Sequence, residues 1–182
     1  MKEKSIRACP AVLSATTSRE VSRQIDKEMA VVSIDVVQCL SEKDVLRALS
    51  RERNLVLAVV DLDLPLLEAW HILEILQTEH PQMPSIAVGH HLEHLLVADA
   101  FGASAWLFKP LDSSDLKSCF LNALVQDPRE RSLRAAGLGE LLVVNREAWA
   151  LQEESSKAVG SNELGTVARC RGFKELLLRR VM

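Results

Sequence analysis

Asp61 closes the apolar run Leu55-Val56-Leu57-Ala58-Val59-Val60 and begins the segment Asp61-Leu62-Asp63-Leu64-Pro65, and a Lys109-Pro110 pair follows about half a domain later. A carboxylate at the carboxyl end of a buried strand lies where open α/β sheets bind ligands and carry out chemistry. A lysine at the end of a later strand can project into the same crevice. Such a pair is either a charged site or a structural ion pair at the rim of the sheet. Residue types alone leave both readings open.

The elements that would position this pair alternate regularly. Five apolar runs of strand length, at Ala11–Ala15, Ala30–Val37, Leu55–Asp61, Ser85–Gly89 and one ending at Trp106–Lys109, are separated by helix-like segments. Val21, Ile25 and Met29 recur at helical spacing after Thr17 or Ser18, which can cap that helix. Ser41 with Asp44 resembles a capping box ahead of a helix running to about Arg53. Pro65 starts a third helix, with Leu67, Trp70, Leu73 and Leu76 on one side. His90 to Phe101 reads as a fourth, stopped by Gly102. Asp112 to Ala123 is a fifth, with Leu116, Phe120 and Leu124 spaced for packing. Alternating strands and helices predict right-handed βαβ units and a parallel sheet, within a domain spanning residues 1–126.

Residues 127–182 read differently. Asp127-Pro128 breaks the fifth helix, Arg129–Ala136 can start another, and Leu141–Val144 is apolar but short. Residues 153–165 look like linker, and Phe173–Val181 is apolar and basic at helical spacing. This extension is too small to bury a core alone, so it must pack on the first domain, meet a partner or stay mobile.

Composition narrows the function classes. At 182 residues the chain can bury a real core, with 48% hydrophobic residues, and its 4% aromatic content without Tyr argues against a stacking platform for single strands. A net charge of −3 predicts no general attraction to polyanions. The first 127 residues are acidic and the remainder mildly basic, with Arg169, Arg171, Lys174, Arg179 and Arg180 clustered near the end. A solvated face is the default for that cluster, and nucleic-acid binding through it is a minor alternative. Cys9, Cys39, Cys119 and Cys170 are far apart and fit reduced thiols of a cytoplasmic protein. No apolar stretch is long enough to span a membrane. Gly-rich phosphate loops, nucleophile elbows and zinc spacings are absent from the sequence. His90, His91 and His94 include an i, i+4 pair, but Glu93 is misplaced for a His-Glu-x-x-His site, and a solvated helix face is expected.

Three groups of residues carry a resemblance to a known family: Val59-Val60-Asp61-Leu62-Asp63-Leu64-Pro65, Gly102-Ala103, and Trp106-Leu107-Phe108-Lys109-Pro110. Over about residues 5–126 the chain resembles the CheY-like receiver domain of bacterial response regulators. The resemblance implies a flavodoxin-like (βα)5 doubly wound sheet in the order 2-1-3-4-5, with a C-terminal extension. It implies that Asp61 matches the phosphoacceptor and Lys109 the lysine that contacts the phosphorylated carboxylate. Aspartyl phosphate chemistry needs such a nucleophilic carboxylate and fixed cations for the phosphoryl oxygens.

The sequence departs from the family at two places and carries a large aromatic at a third. Receivers place two acids at the end of the first strand to hold Mg²⁺, and this chain has Ser14-Ala15-Thr16-Thr17. Asp61 and Asp63 are the only acids left for residual Mg²⁺ binding, and strand alternation argues against Asp63 pointing inward. Mg²⁺ binding is predicted weak or absent, with no other cofactor. Gly89 and then His90 stand where a Ser or Thr and a small residue are usual, which removes the hydroxyl that would bond a phosphate. Trp106 occupies the aromatic switch position. Without a Gly89 hydroxyl its coupling is cut, and a fixed, half-buried indole is expected.

The expectation is a degenerate receiver, not an enzyme, that signals through protein contacts without Mg²⁺-dependent phosphorylation. Its interface would be the face of the fourth helix, fifth strand and fifth helix, including Leu95, Trp106 and Leu116, toward a protein partner or a second copy. The alternatives are a phosphorylatable regulator using Asp61, served by a histidine kinase or phosphotransfer protein, and a receiver coupled to transcription control through its basic tail.

Overall fold

The structure, a computed structural model, describes residues 9–144. Expectations for 153–165, for Phe173–Val181, for the basic cluster and for Cys170 lie outside the described residues, as does the side chain of Leu67. Six strands form one parallel sheet in the order β2-β1-β3-β4-β5-β6. They are β1 (Ala11–Ala15), β2 (Asp35–Cys39), β3 (Leu55–Asp61), β4 (Ser85–Gly89), β5 (Ala105–Phe108) and β6 (Leu142–Val144). The helices are α1 (Arg19–Val31), α2 (Glu42–Arg51), α3 (Leu66–Glu79), α4 (Leu92–Ala100), α5 (Ser113–Val125) and α6 (Pro128–Ala135).

Period-two alternation sorts the strand residues into two cores. In β3, Leu57 and Val59 pack with α1 and α5, while Ala58 and Val60 pack with α2, α3 and α4. Each Val or Leu side chain so buried stabilises the fold by ~1.5–3 kcal/mol. The unbroken apolar run of β3 is therefore a consequence of helices on both faces. The caps follow the sequence: Asp44 N–H donates to Ser41 Oγ, Ser114 N–H to Asp112 at 2.7 Å, and Arg129 N–H to Asp127 at 2.7 Å.

Three local expectations are corrected. The second strand was expected over Ala30–Val37, but α1 runs to Val31 and β2 starts only at Asp35. The β-branched run there supplies the last helical turn, and Ser33 at φ 55° then reverses the chain. The sheet also continues past the fifth strand. Leu142–Val144 pairs in parallel with Ala105–Leu107, so the start of the extension is a sixth strand on the β5 edge. Finally, Leu95, Trp106 and Leu116 do not form a surface. They are 1%, 0% and 0% exposed, because their spacing faces them toward the sheet.

Candidate functional site

The carboxyl ends of β1, β3, β4 and β5 converge on one shallow crevice, lined by Thr17, Ser18, Asp61, Asp63, His90, His94 and Lys109 among others. Asp61 ends β3 and is 2% exposed. Its Oδ2 accepts a hydrogen bond from the Thr16 hydroxyl at 2.6 Å, and its Oδ1 accepts from Lys109 Nζ at 2.6 Å. The Asp63 backbone N–H also donates to Oδ1, at 3.0 Å. A buried carboxylate held by one cation and two neutral donors is a satisfied charge.

Asp63 is the second member of the site. The turn after Asp61 ends strand alternation, so the Asp63 side chain points back over the crevice, against the sequence expectation. Lys109 Nζ bridges to its Oδ2 at 2.8 Å, and His90 Nδ1 lies 2.5 Å from the same oxygen. The His90 backbone N–H approaches Oδ1 at 3.4 Å. Lys109 is thus a shared cation between two carboxylates, with its own side chain only 7% exposed.

His90 and His91 are exposed, as expected of a solvated face, and His94 is not. His90 binds Asp63, and the His94 side chain is 14% exposed. His94 Nδ1 sits 3.4 Å from Asp63 Oδ1 but without hydrogen-bond alignment, so it is close to the carboxylate and unbonded. Burial pushes the His94 imidazole below its ordinary pKa, against the upward pull of Asp63. Burial thus favours its neutral form.

Burial alone would raise the Asp63 pKa, but hydrogen bonds from Lys109 and His90 and the Lys109 charge outweigh it and bring it from 3.8 to about 2. A depressed carboxylate stabilises the folded state above its unfolded pKa, and that stability is lost as pH falls from about 4 to about 2. Asp63→Asn should remove this part of the acid dependence. Thermal melts of both proteins across that window check it: parallel melting curves against pH would contradict the assignment.

Gly89 and Trp106 form one packing unit. A Cβ on Gly89 would lie 2.8 Å from Trp106 Cη2 and 3.2 Å from His94 Nδ1. Trp106 is fully buried, not half-buried, and meets Phe108 edge-on at 5.4 Å between centroids. The indole fills the space in which a larger β4 residue would stand, so Gly89 and Trp106 are one exchange of volume.

The sequence reading did not find Thr16 or Arg134. A threonine just past a buried strand was the available signal for the first, but it was weighed only as a missing acid. Nothing in the polar α6 sequence marks Arg134, which is 3% exposed and donates to Ala103 O from both Nε and Nη2. Among the described residues, no three His, Cys, Asp or Glu side chains are grouped to hold a metal ion. No described helix is long and apolar enough to cross a membrane.

No model of a known protein family matches the sequence, and no curated protein matches it. Solved structures do. A response regulator from Thermotoga maritima superimposes with a TM-score of 0.59 at 16% identity, covering 65% of this chain and 100% of its own. A CheY-like receiver domain protein from Methanospirillum hungatei gives 0.58 at 22% identity, covering 64% and 94%. A signal receiver domain from Vibrio parahaemolyticus gives 0.57 at 18%, covering 73% and 100%. At such identities the likeness establishes the fold and leaves the chemistry to the residues. The chain has the flavodoxin-like fold of response-regulator receiver domains, widened by one strand.

Proposed function

We propose that the protein is an atypical receiver that signals by protein contact, with its crevice held in one charge-paired state in place of a Mg²⁺-dependent phosphorylation cycle. The observation that carries this is the Lys109 ammonium seated between Asp61 and Asp63 at 2.6 and 2.8 Å. A hard divalent cation takes six or more oxygen ligands, with carboxylates supplying the charge. Here every carboxylate oxygen of the crevice already faces a donor, and the end of β1 offers Thr16 and Thr17 where acids are needed. The residues present do not fit Mg²⁺.

The phosphoacceptor role of Asp61 meets the same obstacle. The carboxylate oxygen that would attack a phosphoryl group must first leave Thr16 or Lys109, and Gly89 brings no hydroxyl to the incoming oxygens. Incubation with acetyl phosphate and Mg²⁺, followed by intact mass, tests the proposal. The expected result is an unmodified chain. A stoichiometric phosphoryl adduct, absent from Asp61→Ala, would overturn it and favour a phosphorylatable regulator fed by a kinase or phosphotransfer protein.

A protein partner is the route for a signal that this reading favours. The β5 edge, the centre of the interface expected from the sequence, carries β6, so a partner must either use another face or contend with the extension. A reaction of unrelated chemistry gains no support, because the crevice holds its charged groups against one another.

A further inference from the structure

Among the described residues, the segment from Asp127 to Val144 is held by few buried side chains, although Val143 and Val144 pack partly buried against the two cores. Within it only Arg134 and Leu141 are buried. The strand it contributes has three residues, and Leu142 is 37% exposed. The ladder to β5 spans three residue pairs, with Leu142 N–H donating to Ser104 O at 3.2 Å. Such a short edge strand adds little hold by itself.

Arg134 makes the most extensive polar ties. Its guanidinium donates to Ala103 O at 2.7 and 2.9 Å, to Asp99 Oδ1 at 3.1 and 3.2 Å, and to Gly139 O. These partners sit at the end of α4, in the turn before β5, and in the loop leading to β6. One side chain thus ties the α4–β5 junction to α6 and to the loop that leads to β6. The surroundings are shaped for it. Gly102, at φ +70°, lies so close to the Arg134 carbonyl that a Cβ there would approach the oxygen to 2.5 Å, and a Cβ on Gly139 would strike the Arg134 side chain. Secondary ties, Gln77 to Ala135 O at 2.6 Å and Arg131 to Leu124 O at 3.0 Å, hold α6 but not β6.

A segment with two buried anchors on a domain with two full cores belongs at the low end of local stability. It also covers a strand edge whose bare N–H and C=O groups would otherwise take up another strand. Register places Trp106 beside Val143, and Trp106 in turn packs on Gly89 at the crevice. We propose that α6–β6 is a strap, latched by Arg134 on Asp99 and the Ala103 carbonyl, which opens as a unit independently of the rest of the domain and so gates the β5 edge. The device rests on this packing alone and stands whether or not Asp61 is ever modified.

Amide hydrogen exchange on the full chain tests it. In the wild type, the amides of Leu142–Val144 should exchange well before those of Val59 and Val60. Arg134→Gln should accelerate the strap at least about ten-fold while leaving β1 and β3 unchanged, the signature of a local opening. Asp99→Asn keeps the guanidinium and its carbonyl partners, so it should accelerate the same segment by less, and it serves if Arg134→Gln fails to fold. Strap amides as slow as those of β3 in the wild type, or unchanged in the folded variants, would overturn the proposal. Because the readout ignores the chemistry of Asp61, its failure is separate from that of the phosphodonor experiment.

Discussion

Gly89→Ser, the substitution that returns a hydroxyl to the end of β4, should destabilise the protein by about 1–3 kcal/mol, the usual cost of overpacking a filled core. The new Cβ meets Trp106 Cη2 at 2.8 Å and His94 Nδ1 at 3.2 Å, and the fully buried indole has no exposed position into which to relax. Combining it with Trp106→Phe should recover much of that loss, because the smaller ring vacates the contested volume. The two substitutions share one contact, so they should be non-additive, with a coupling within the ~0.5–3 kcal/mol of touching residues. Urea unfolding of the four proteins in the cycle measures it. A stable Gly89→Ser single variant would show that the indole is not the reason for the glycine.

Lys109→Met should cost more, about 3–5 kcal/mol at neutral pH, because it leaves buried carboxylates without their cation. Asp61 is 2% exposed and retains only the Thr16 hydroxyl and the Asp63 N–H as partners, neither of which neutralises it. Asp63 keeps His90 and more solvent, so most of the loss belongs to Asp61. The double variant Asp61→Asn, Lys109→Met should therefore be more stable than Lys109→Met alone, since it removes the stranded charge as well as the cation. Denaturant titrations of the single and double variants decide this. Equal stability of the two would mean that Asp61 is not the residue Lys109 holds.

The alternation of apolar runs and helical repeats was enough to read a parallel sheet, because both its faces are covered and each strand shows this as an unbroken apolar run. Gly102, Asp112 and Ser41 marked helix ends by the same local chemistry that caps them in the structure. Local signals failed where two patterns satisfied the same residues. Ala30-Val31-Val32 has strand propensity, but Val31 and Val32 are 70% and 54% exposed, and the buried stripe Val21, Ile25, Met29 carries α1 through Val31 before the chain turns at Ser33. Leu142–Val144 was too short to weigh as a strand until an open edge stood next to it.

The sequence by itself determined that Asp61 ends a buried strand, that Lys109 follows another, and that no acid stands at the end of the first strand. These are facts of residue type at positions fixed by periodicity. Only the tertiary structure decided what the charges do. Thr16 lies 45 residues from Asp61, His90 lies 27 from Asp63, and Arg134 lies 35 from Asp99. A charge buried by folding must find its partner among groups brought together from distant parts of the chain, and one sequence does not specify which of the nearby donors arrives within hydrogen-bond distance. That is why the placement of the pair was legible, while the Lys109 bridge to Asp63, the exchange of volume between Gly89 and Trp106, and the sixth strand beside β5 were not.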